Sequence, residues 1–336
     1  MDAGHGAENQ CGHLEADSPD HRTKKVCSSQ ESRVKRIPVY YFFMPQNIRI
    51  DDRKLDILAW LRKYDLLTTS QLALLDAGSE QRVSRILHRL EEAGHILRPY
   101  GQRQTFYDKR EPWIYGLANP GADCLAEKRG IPRGKLDWTK KNRVAKGNYK
   151  HKRLLNELRV RLEVDVRHRP EISYVEKAAL NRILPTPVTT WRVPVMDGGK
   201  VYKDGVLPDD ALRLIFSNEP KPHNFATFFP EADRATEPND TDTAREVYLY
   251  RKMLAYYFTY MLGIHTELFG FKEFRVPILT TSAVRVENLI EVNKRFNNGD
   301  GSGLFLFTDV GALRASPHVL EHEWINGRGE RVTFLD

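Results

Sequence analysis

The hydrophobic pattern between residues 51 and 94 predicts three helices. In "DDRKLDILAWLRKYDLL" the apolar residues recur at every third position, the spacing of one helical face. These residues are Leu55, Leu58, Leu61 and Tyr64. "TTSQLALL" (68–75) predicts a short second helix. In "SEQRVSRILHRLEEAG" Ser79 is a typical helix cap and Gly94 a natural C-terminal stop, so a third helix is expected between them.

Two short β-type runs follow the third helix. "HILRPYGQRQTFYDKREPWIYGL" (95–117) has apolar and aromatic residues on both sides of a turn at Pro99 and Gly101. "NPGADCLAEKRG" (119–130) then predicts one more helix, with proline at its first helical position. Three helices and a β-hairpin predict a winged helix-turn-helix domain over residues 37–130.

Basic residues lie on the outer face of the third predicted helix and beside the hairpin. They are Arg82, Arg85, His88 and Arg89 on the helix, and Arg98 and Arg103 beside the hairpin. A helix of this kind can enter a major groove, where arginine reads guanine edges and contacts phosphates. The basic linker predicted at 131–149 would add phosphate contacts. The alternatives are a merely solubilising surface or a protein-binding domain, but helix, hairpin and linker together favour double-stranded DNA as the partner.

After the linker the pattern becomes that of an α/β domain. It opens with an amphipathic helix (149–165), and short β-type runs follow. These runs lie at 172–176, 191–195, 200–206, 211–216 and 225–229. A long helix to about Leu262, a buried strand (274–282), another helix and a final strand complete the order. This order predicts a compact domain with a mixed sheet over residues 150–336, and hence an α+β class for the chain.

Composition narrows the classes of protein that fit. Residues 1–36 are polar without apolar periodicity and are predicted to form a disordered tail. No run approaches the roughly 18–20 apolar residues of a membrane span. Three cysteines are too few and too scattered for a disulfide framework, which favours the cytoplasm. The net charge of +7 is modest and compatible with a polyanionic partner.

Polar residues recur at structured positions of the second domain. In chain order they are Glu157, Asp209, Asp210, Glu231, Asp233, Lys252 and Tyr256. Asp209 follows a proline between two β-type runs, and Glu231 stands where the aromatic run ending at Phe229 stops. Each also has a purely structural interpretation: the Pro-Asp segment as a turn, and the later carboxylates as ion pairs with Arg234, Arg251 or Arg285.

This order resembles the PD-(D/E)xK nuclease superfamily. There an Asp after a Pro, and then a Glu and a Lys two apart on the next strand, surround a divalent metal. The resemblance implies Asp209, Glu231 and Asp233 as ligands of Mg²⁺, which prefers carboxylate oxygens. It further implies an assisting role for Glu157 and charge stabilisation at the phosphate by Lys252. "KMLAY" (252–256), which ends at Tyr256, has the spacing of the Gln-x-x-x-Tyr motif of some branches, with Lys in the Gln place. The chain departs from the pattern at Asp233, where the superfamily has lysine.

Four further segments resemble the replication-relaxation family of plasmid and mobile-element proteins. They read "LPDDAL" (207–212), "EADRATEP" (231–238), "YRKMLAYY" (250–257) and "VPILTTSAVR" (276–285), preceded by "GLANPGADCLA" (116–126) at the end of the winged helix. The resemblance implies a DNA-binding protein that is needed for replication or relaxation of an extrachromosomal element. Replication or relaxosome proteins would be its partners, and a homodimer stays open.

Three hypotheses remain at this point. In the first, the winged helix anchors DNA and the second domain is a degenerate nuclease fold that organises a replication or relaxosome complex. In the second, the second domain is an Mg²⁺-dependent endonuclease that nicks DNA with Asp209, Glu231 and Asp233. In the third, the protein is a transcriptional regulator, and the second domain dimerises or senses an effector.

Overall fold

The protein is described by a computed structural model over residues 48–99, 102, 111–135, 149–221, 224–234 and 242–336. The predicted tail, Arg103 with most of the predicted hairpin tip, and most of the basic linker lie outside the described residues. Residues from 48 onwards belong to one compact unit. The structure is a mixed α and β protein with several small sheets.

Four helices and a small sheet form the N-terminal region. The helices are α1 (Asp52–Tyr64), α2 (Thr69–Asp76), α3 (Glu80–Glu92) and α4 (Asn119–Arg129). The strands are β1 (Leu66–Thr68), β2 (Ile96–Leu97) and β3 (Ile114–Leu117), which pair antiparallel in the order β1-β3-β2. Ser79 caps α3 as predicted, since its side chain accepts a hydrogen bond from the backbone N–H of Arg82.

The first helix is shorter than the apolar pattern predicts. α1 ends at Tyr64, and Asp65 follows with a φ of 65° and a ψ of −54°, a conformation outside the helical regions that interrupts the helix. The next residues, Leu66 and Leu67, belong to β1 instead of the helix and pair with β3. A buried strand of three residues has no alternation, so the sequence pattern could not separate it from the helix before it.

The remainder of the chain alternates helices with strands. The helices are α5 (Tyr149–Val166), α6 (Lys177–Ile183), α7 (Asp242–Met261), α8 (Ile264–Phe269), α9 (Ala283–Asn293) and α10 (Val310–Ala315). The strands are β4 (Ile172–Glu176), β5 (Trp191–Asp197), β6 (Lys200–Val206), β7 (Leu212–Phe216), β8 (Phe225–Phe228), β9 (Glu231–Ala232), β10 (Val276–Thr280), β11 (Phe305–Asp309), β12 (Trp324–Asn326) and β13 (Arg331–Val332). The predicted order is confirmed for its main elements, and α6, α8, α10, β12 and β13 are additional.

Two sheets meet where β8 becomes β9. The first has the order β4-β7-β8 and is antiparallel, whereas the second has the order β9-β10-β11-β12-β13 and is mixed, with β9, β10 and β11 parallel. A bridge between Phe228 and Arg275 joins the sheets, and the N–H of Phe229 donates to the carbonyl oxygen of Arg275 at 3.0 Å. Strand β9, which carries Glu231, therefore lies next to the junction of the two sheets. β5 and β6 form a separate hairpin.

Helix α5 is buried on two sides. Leu158 and Leu162 pack in a core with strands β4, β7 and β11, and Val160 packs in the core formed by the N-terminal helices. Asn156 reinforces this arrangement, since its Nδ2 donates to the carbonyl oxygens of Tyr64 at 3.0 Å and Leu66 at 2.7 Å. These bonds hold the buried backbone of the α1–β1 connection against α5.

Replacement of this amide tests the arrangement. Asn156→Ala is expected to lower the free energy of unfolding by about 1–3 kcal/mol, because two buried carbonyl groups lose their donor. Chemical denaturation measures the change. Asn218→Ala, at an exposed position, is the matched control and should leave the stability unchanged. Equal stability of the two variants would contradict the role given to Asn156.

Candidate functional site

The turn before β7 brings Asp209 to the end of a neighbouring strand. The N–H of Asp210 donates to the carbonyl oxygen of Pro230 at 3.3 Å, which ties the turn to the β8–β9 segment. Asp209 Oδ2 then accepts the N–H of Ala232 at 3.0 Å. Two backbone-linked contacts thus fix the Asp209 carboxylate beside Glu231.

Glu231 lies on β9 with a side chain that is only 4% exposed. Its Oε1 accepts a hydrogen bond from the Tyr256 hydroxyl at 2.6 Å, and its Oε2 contacts Lys252 Nζ. The same Nζ lies 3.3 Å from Asp209 Oδ1. Lys252 and Tyr256 are one turn apart on α7, so one helical face supplies both donors. Four of the predicted residues are therefore in direct contact.

His151 is a member of this cluster that the sequence does not predict. It lies on the first turn of α5, and its Nε2 is 3.1 Å from Asp209 Oδ2. The surrounding "YKHKR" reads as part of a basic run, with no spacing that marks the histidine. His151 and Asp209 are far apart in the chain, and only the fold brings them into contact.

The protonation states follow from burial and neighbouring charges. Burial opposes ionisation of Asp209, but the hydrogen bond from His151 and the charge of Lys252 lower the pKa of Asp209 well below its ordinary value. Burial also opposes protonation of Lys252, yet the Glu231 and Asp209 carboxylates raise the pKa of Lys252 to about 12. For Glu231, burial and then the Asp209 charge raise the pKa well above its ordinary value. At neutral pH the cluster thus contains an anionic Asp209 and a cationic Lys252.

Asp233 faces a different set of partners. Its Oδ2 accepts from Arg285 Nε at 2.7 Å and from the Thr280 hydroxyl at 3.3 Å. Its N–H donates to the carbonyl oxygen of Leu279 at 2.9 Å, which extends the pairing of β9 with β10. An ion pair of Asp233 with Arg285 is one of the purely structural interpretations given from the sequence, and the structure contains it. Glu231, in contrast, contacts Lys252.

Glu157 is buried at a distinct place on α5. Arg314 donates from Nε to Glu157 Oε1 at 3.0 Å and from Nη2 to Glu157 Oε2 at 3.1 Å. Arg161 also donates to Oε1, from its Nε at 3.0 Å. Gln71 Nε2 adds a bond at 3.2 Å from the N-terminal region. Although burial opposes its ionisation, these cations lower the pKa of Glu157. The partners of Glu157 are therefore arginine and glutamine, not the Asp209 cluster.

The predicted DNA-binding side chains divide into two groups. Arg82, Arg85, His88 and Arg89 are exposed on α3, opposite the buried Val83, Leu87 and Leu90. Arg98 instead contacts Glu91, and its guanidinium lies 4.5 Å from the ring centroid of Trp113. Arg103 lies outside the described residues. The basic face of α3 is thus available to a ligand, whereas Arg98 is engaged within the protein.

Comparison with known proteins adds a family. A family model described as replication-relaxation matches residues 58–268, more than half of the 336-residue chain. The chain belongs to the replication-relaxation family. This membership confirms the resemblance drawn from the sequence motifs. No curated protein and no solved structure matched the chain.

The match to the replication-relaxation family covers the central cluster. It includes Asp209, Glu231, Lys252 and Tyr256, and it begins within α1 and ends within α8. Arg285, which pairs with Asp233, lies beyond it.

Across the residues that the structure describes, no three or more His, Cys, Asp and Glu side chains are grouped so as to hold a metal ion. None of the described helices has the length and apolar content needed to cross a membrane.

Lys252 is expected to be the residue on which the cluster depends. Lys252→Met should lower the free energy of unfolding by about 3–5 kcal/mol, because Asp209 and Glu231 would be left buried without their cation. Glu231→Gln in the same protein should restore part of that loss, since a neutral amide needs no cation. Denaturant unfolding of both single variants and the double variant gives the coupling energy. Lys272→Met, at an exposed position, is the control, and additive effects would contradict the pairing.

Proposed function

We propose that the protein binds double-stranded DNA through its N-terminal region and supports replication or relaxation of a plasmid or other mobile element. The observation that carries the proposal is the exposed basic face of α3 in a member of the replication-relaxation family. Arg82, Arg85 and Arg89 pair with no carboxylate within the described ranges. Their charge is therefore available for phosphates.

The topology supports a winged helix-turn-helix for this region. Helix, strand, two helices and two strands follow one another, and the strands pair antiparallel in the order β1-β3-β2. In such domains the third helix is the one that enters the major groove. The apolar side of α3 packs in the N-terminal core, which leaves its basic side outward.

The second domain is proposed to be a nuclease-like fold that organises a replication or relaxosome complex. Its central order is α5, then β4, β7 and β8–β9 as an antiparallel set, then α7 and the parallel strand β10. This helix, three-strand, helix, strand order supports the resemblance to PD-(D/E)xK proteins. Asp209 precedes β7 and Glu231 lies on β9, which is the chain order of the two acidic residues in that pattern, and Lys252 contacts both carboxylates.

Charge reversal on α3 tests DNA binding. The double variant Arg85→Glu and Arg89→Glu should bind a duplex oligonucleotide at least about tenfold more weakly, because two phosphate contacts become repulsive. The slope of log affinity against log salt should fall by about 1.8, at about 0.9 for each contact. Fluorescence anisotropy over a salt series measures both quantities. The variant Lys272→Glu with Arg328→Glu makes the same charge change on exposed residues elsewhere, and unchanged duplex affinity in the α3 variant would refute the proposal.

A second candidate function is Mg²⁺-dependent nicking of DNA. The contact of Lys252 with both Asp209 and Glu231 favours it, since two carboxylates and one lysine are the residue types of a PD-(D/E)xK site. The lysine comes from α7, so Asp233 in the strand position of the superfamily's lysine does not remove the positive charge.

The donor chemistry of the cluster fits Mg²⁺ through two side chains. Asp209 and Glu231 present carboxylate oxygens that already converge on one cation, and they would hold the metal. When bound, Mg²⁺ activates a water and neutralises charge at a phosphate. Asp233, the third predicted ligand, would first have to leave Arg285. Lys252 would then be available to contact a phosphate oxygen.

Incubation with supercoiled plasmid and MgCl₂ tests this second function. If the cluster cleaves DNA, open-circular product should form with the natural chain and be lost in Asp209→Asn and Glu231→Gln, which remove the two carboxylates. Agarose electrophoresis reads the outcome. Asp300→Asn, at an exposed position, is the control and should nick like the natural chain. Absence of nicking together with intact duplex binding would eliminate the nuclease and leave the DNA-binding role.

A further inference from the structure

A cavity of about 840 Å³ leads from the surface to the Asp209 turn. One wall is the C-terminal half of α1, with Trp60 and Arg62. The opposite wall comes from α5 and from the start of α6, where Lys177 lies. Asp209 is part of the lining, so the cavity and the acidic cluster share a residue.

The charges of the cavity wall are unevenly compensated. Every carboxylate in the lining is within ion-pair distance of a cation. The pairs are Asp65 with Lys152, Glu163 and Glu176 with Lys63, Asp209 with Lys252, and Asp210 with Arg159. Arg62 and Lys177 differ, because neither has an acidic partner among the residues that the structure covers. The lining as a whole carries five cations and five carboxylates, but Lys63 serves two of those carboxylates and Asp209 is served by Lys252 from outside the lining. Arg62 and Lys177 are therefore the two cations of the cavity that are left to pair with an anionic group of a ligand.

The size and the aromatic wall restrict what that anion can be. A volume of this order accommodates a drug-sized ligand, roughly one or two nucleotides, and is too small for a duplex. Trp60 is partly exposed in the wall, and an aromatic ring beside cations is the usual combination for stacking a base next to its phosphates.

We propose that this cavity binds a single-stranded segment of DNA, with Arg62 and Lys177 on its phosphates and Trp60 against a base. The proposal rests on the proposed DNA-binding function and extends it to a second form of DNA. Duplex DNA is bound by the basic face of α3, whereas the unpaired strand that replication or relaxation produces enters the cavity. Asp209 also lines this cavity, so a strand bound there lies beside the acidic cluster.

Two probes and two double variants test the assignment. The probes are a labelled oligo-dT of about twelve nucleotides and a labelled duplex, each titrated with the full chain. Arg62→Glu with Lys177→Glu should weaken oligo-dT binding at least about tenfold and lower the salt slope by about 1.4, at about 0.7 per contact on single strands. Duplex affinity should not change. Arg85→Glu with Arg89→Glu should show the reverse pattern.

The control and the contrary outcomes are distinct for the two proposals. Lys272→Glu with Arg328→Glu makes the same charge change outside the cavity and should affect neither probe beyond a general charge effect. Unchanged oligo-dT affinity in the cavity variant overturns the single-strand site, even if duplex binding depends on α3. Unchanged duplex affinity in the α3 variant overturns the proposed function, whatever oligo-dT does.

Fluorescence supplies a second measurement that does not rely on charge reversal. Oligo-dT should quench part of the tryptophan emission of the natural chain, and Trp60→Phe should abolish that quenching, because the base stacks on Trp60. Quenching that persists in Trp60→Phe would contradict the placement. Equal quenching and equal variant effects with thymidine monophosphate alone would identify a nucleotide pocket and overturn the strand assignment.

Discussion

The packing of the central cluster depends on one ammonium group, that of Lys252, which contacts both Asp209 and Glu231. Glu231 lies on β9, the last strand of its sheet, and Asp209 lies on the turn before β7. Two such buried carboxylates are stable only with a cation close to both. Lys252 can supply that cation only if α7 packs over the point where β8 becomes β9. Tyr256 follows one turn later, where its ring packs with Trp191 and Phe229 and its hydroxyl binds Glu231. Charge and aromatic packing thus fix the same helix.

Helix α5 extends this constraint to the N-terminal region. Arg159 forms an ion pair with Asp210 at 2.8 Å, and its guanidinium lies 4.8 Å from the ring centroid of Tyr64 on α1. Asp210 is the neighbour of Asp209 in the same turn, so α1 and the acidic cluster are connected through a single buried side chain. The position of the helices that would bind DNA and the position of Asp209 are therefore not independent.

The helices and several residues of the site can be predicted from the sequence, whereas contacts between distant residues cannot. Helical spacing located α1 and α3 because a long amphipathic segment has a clear period. Glu231 and Lys252 could be identified by residue type and order. His151 and the partners of Glu157 could not, because these contacts join residues far apart in the chain and depend on how α5 packs. The spacing of two residues suggests that Asp233 and Glu231 share one site. In the structure Asp233 instead pairs with Arg285 on α9.

The origin of the lysine decides how Asp233 should be understood. A strand lysine at that position would extend from β9 beside Glu231, whereas here Lys252 reaches the same carboxylates from α7. The positive charge beside the two carboxylates thus comes from a helix, and the identity of residue 233 by itself argues neither for nor against cleavage. The more informative feature is charge balance. Burial and the neighbouring Asp209 raise the pKa of Glu231, and the Lys252 ammonium compensates negative charge on both carboxylates as the cluster stands. A cluster compensated in this way attracts a divalent cation weakly, and a phosphate that draws Lys252 away would strengthen that attraction. Movement of Lys252 away from Asp209 and Glu231 is therefore the change that would make the two carboxylates available to a metal ion.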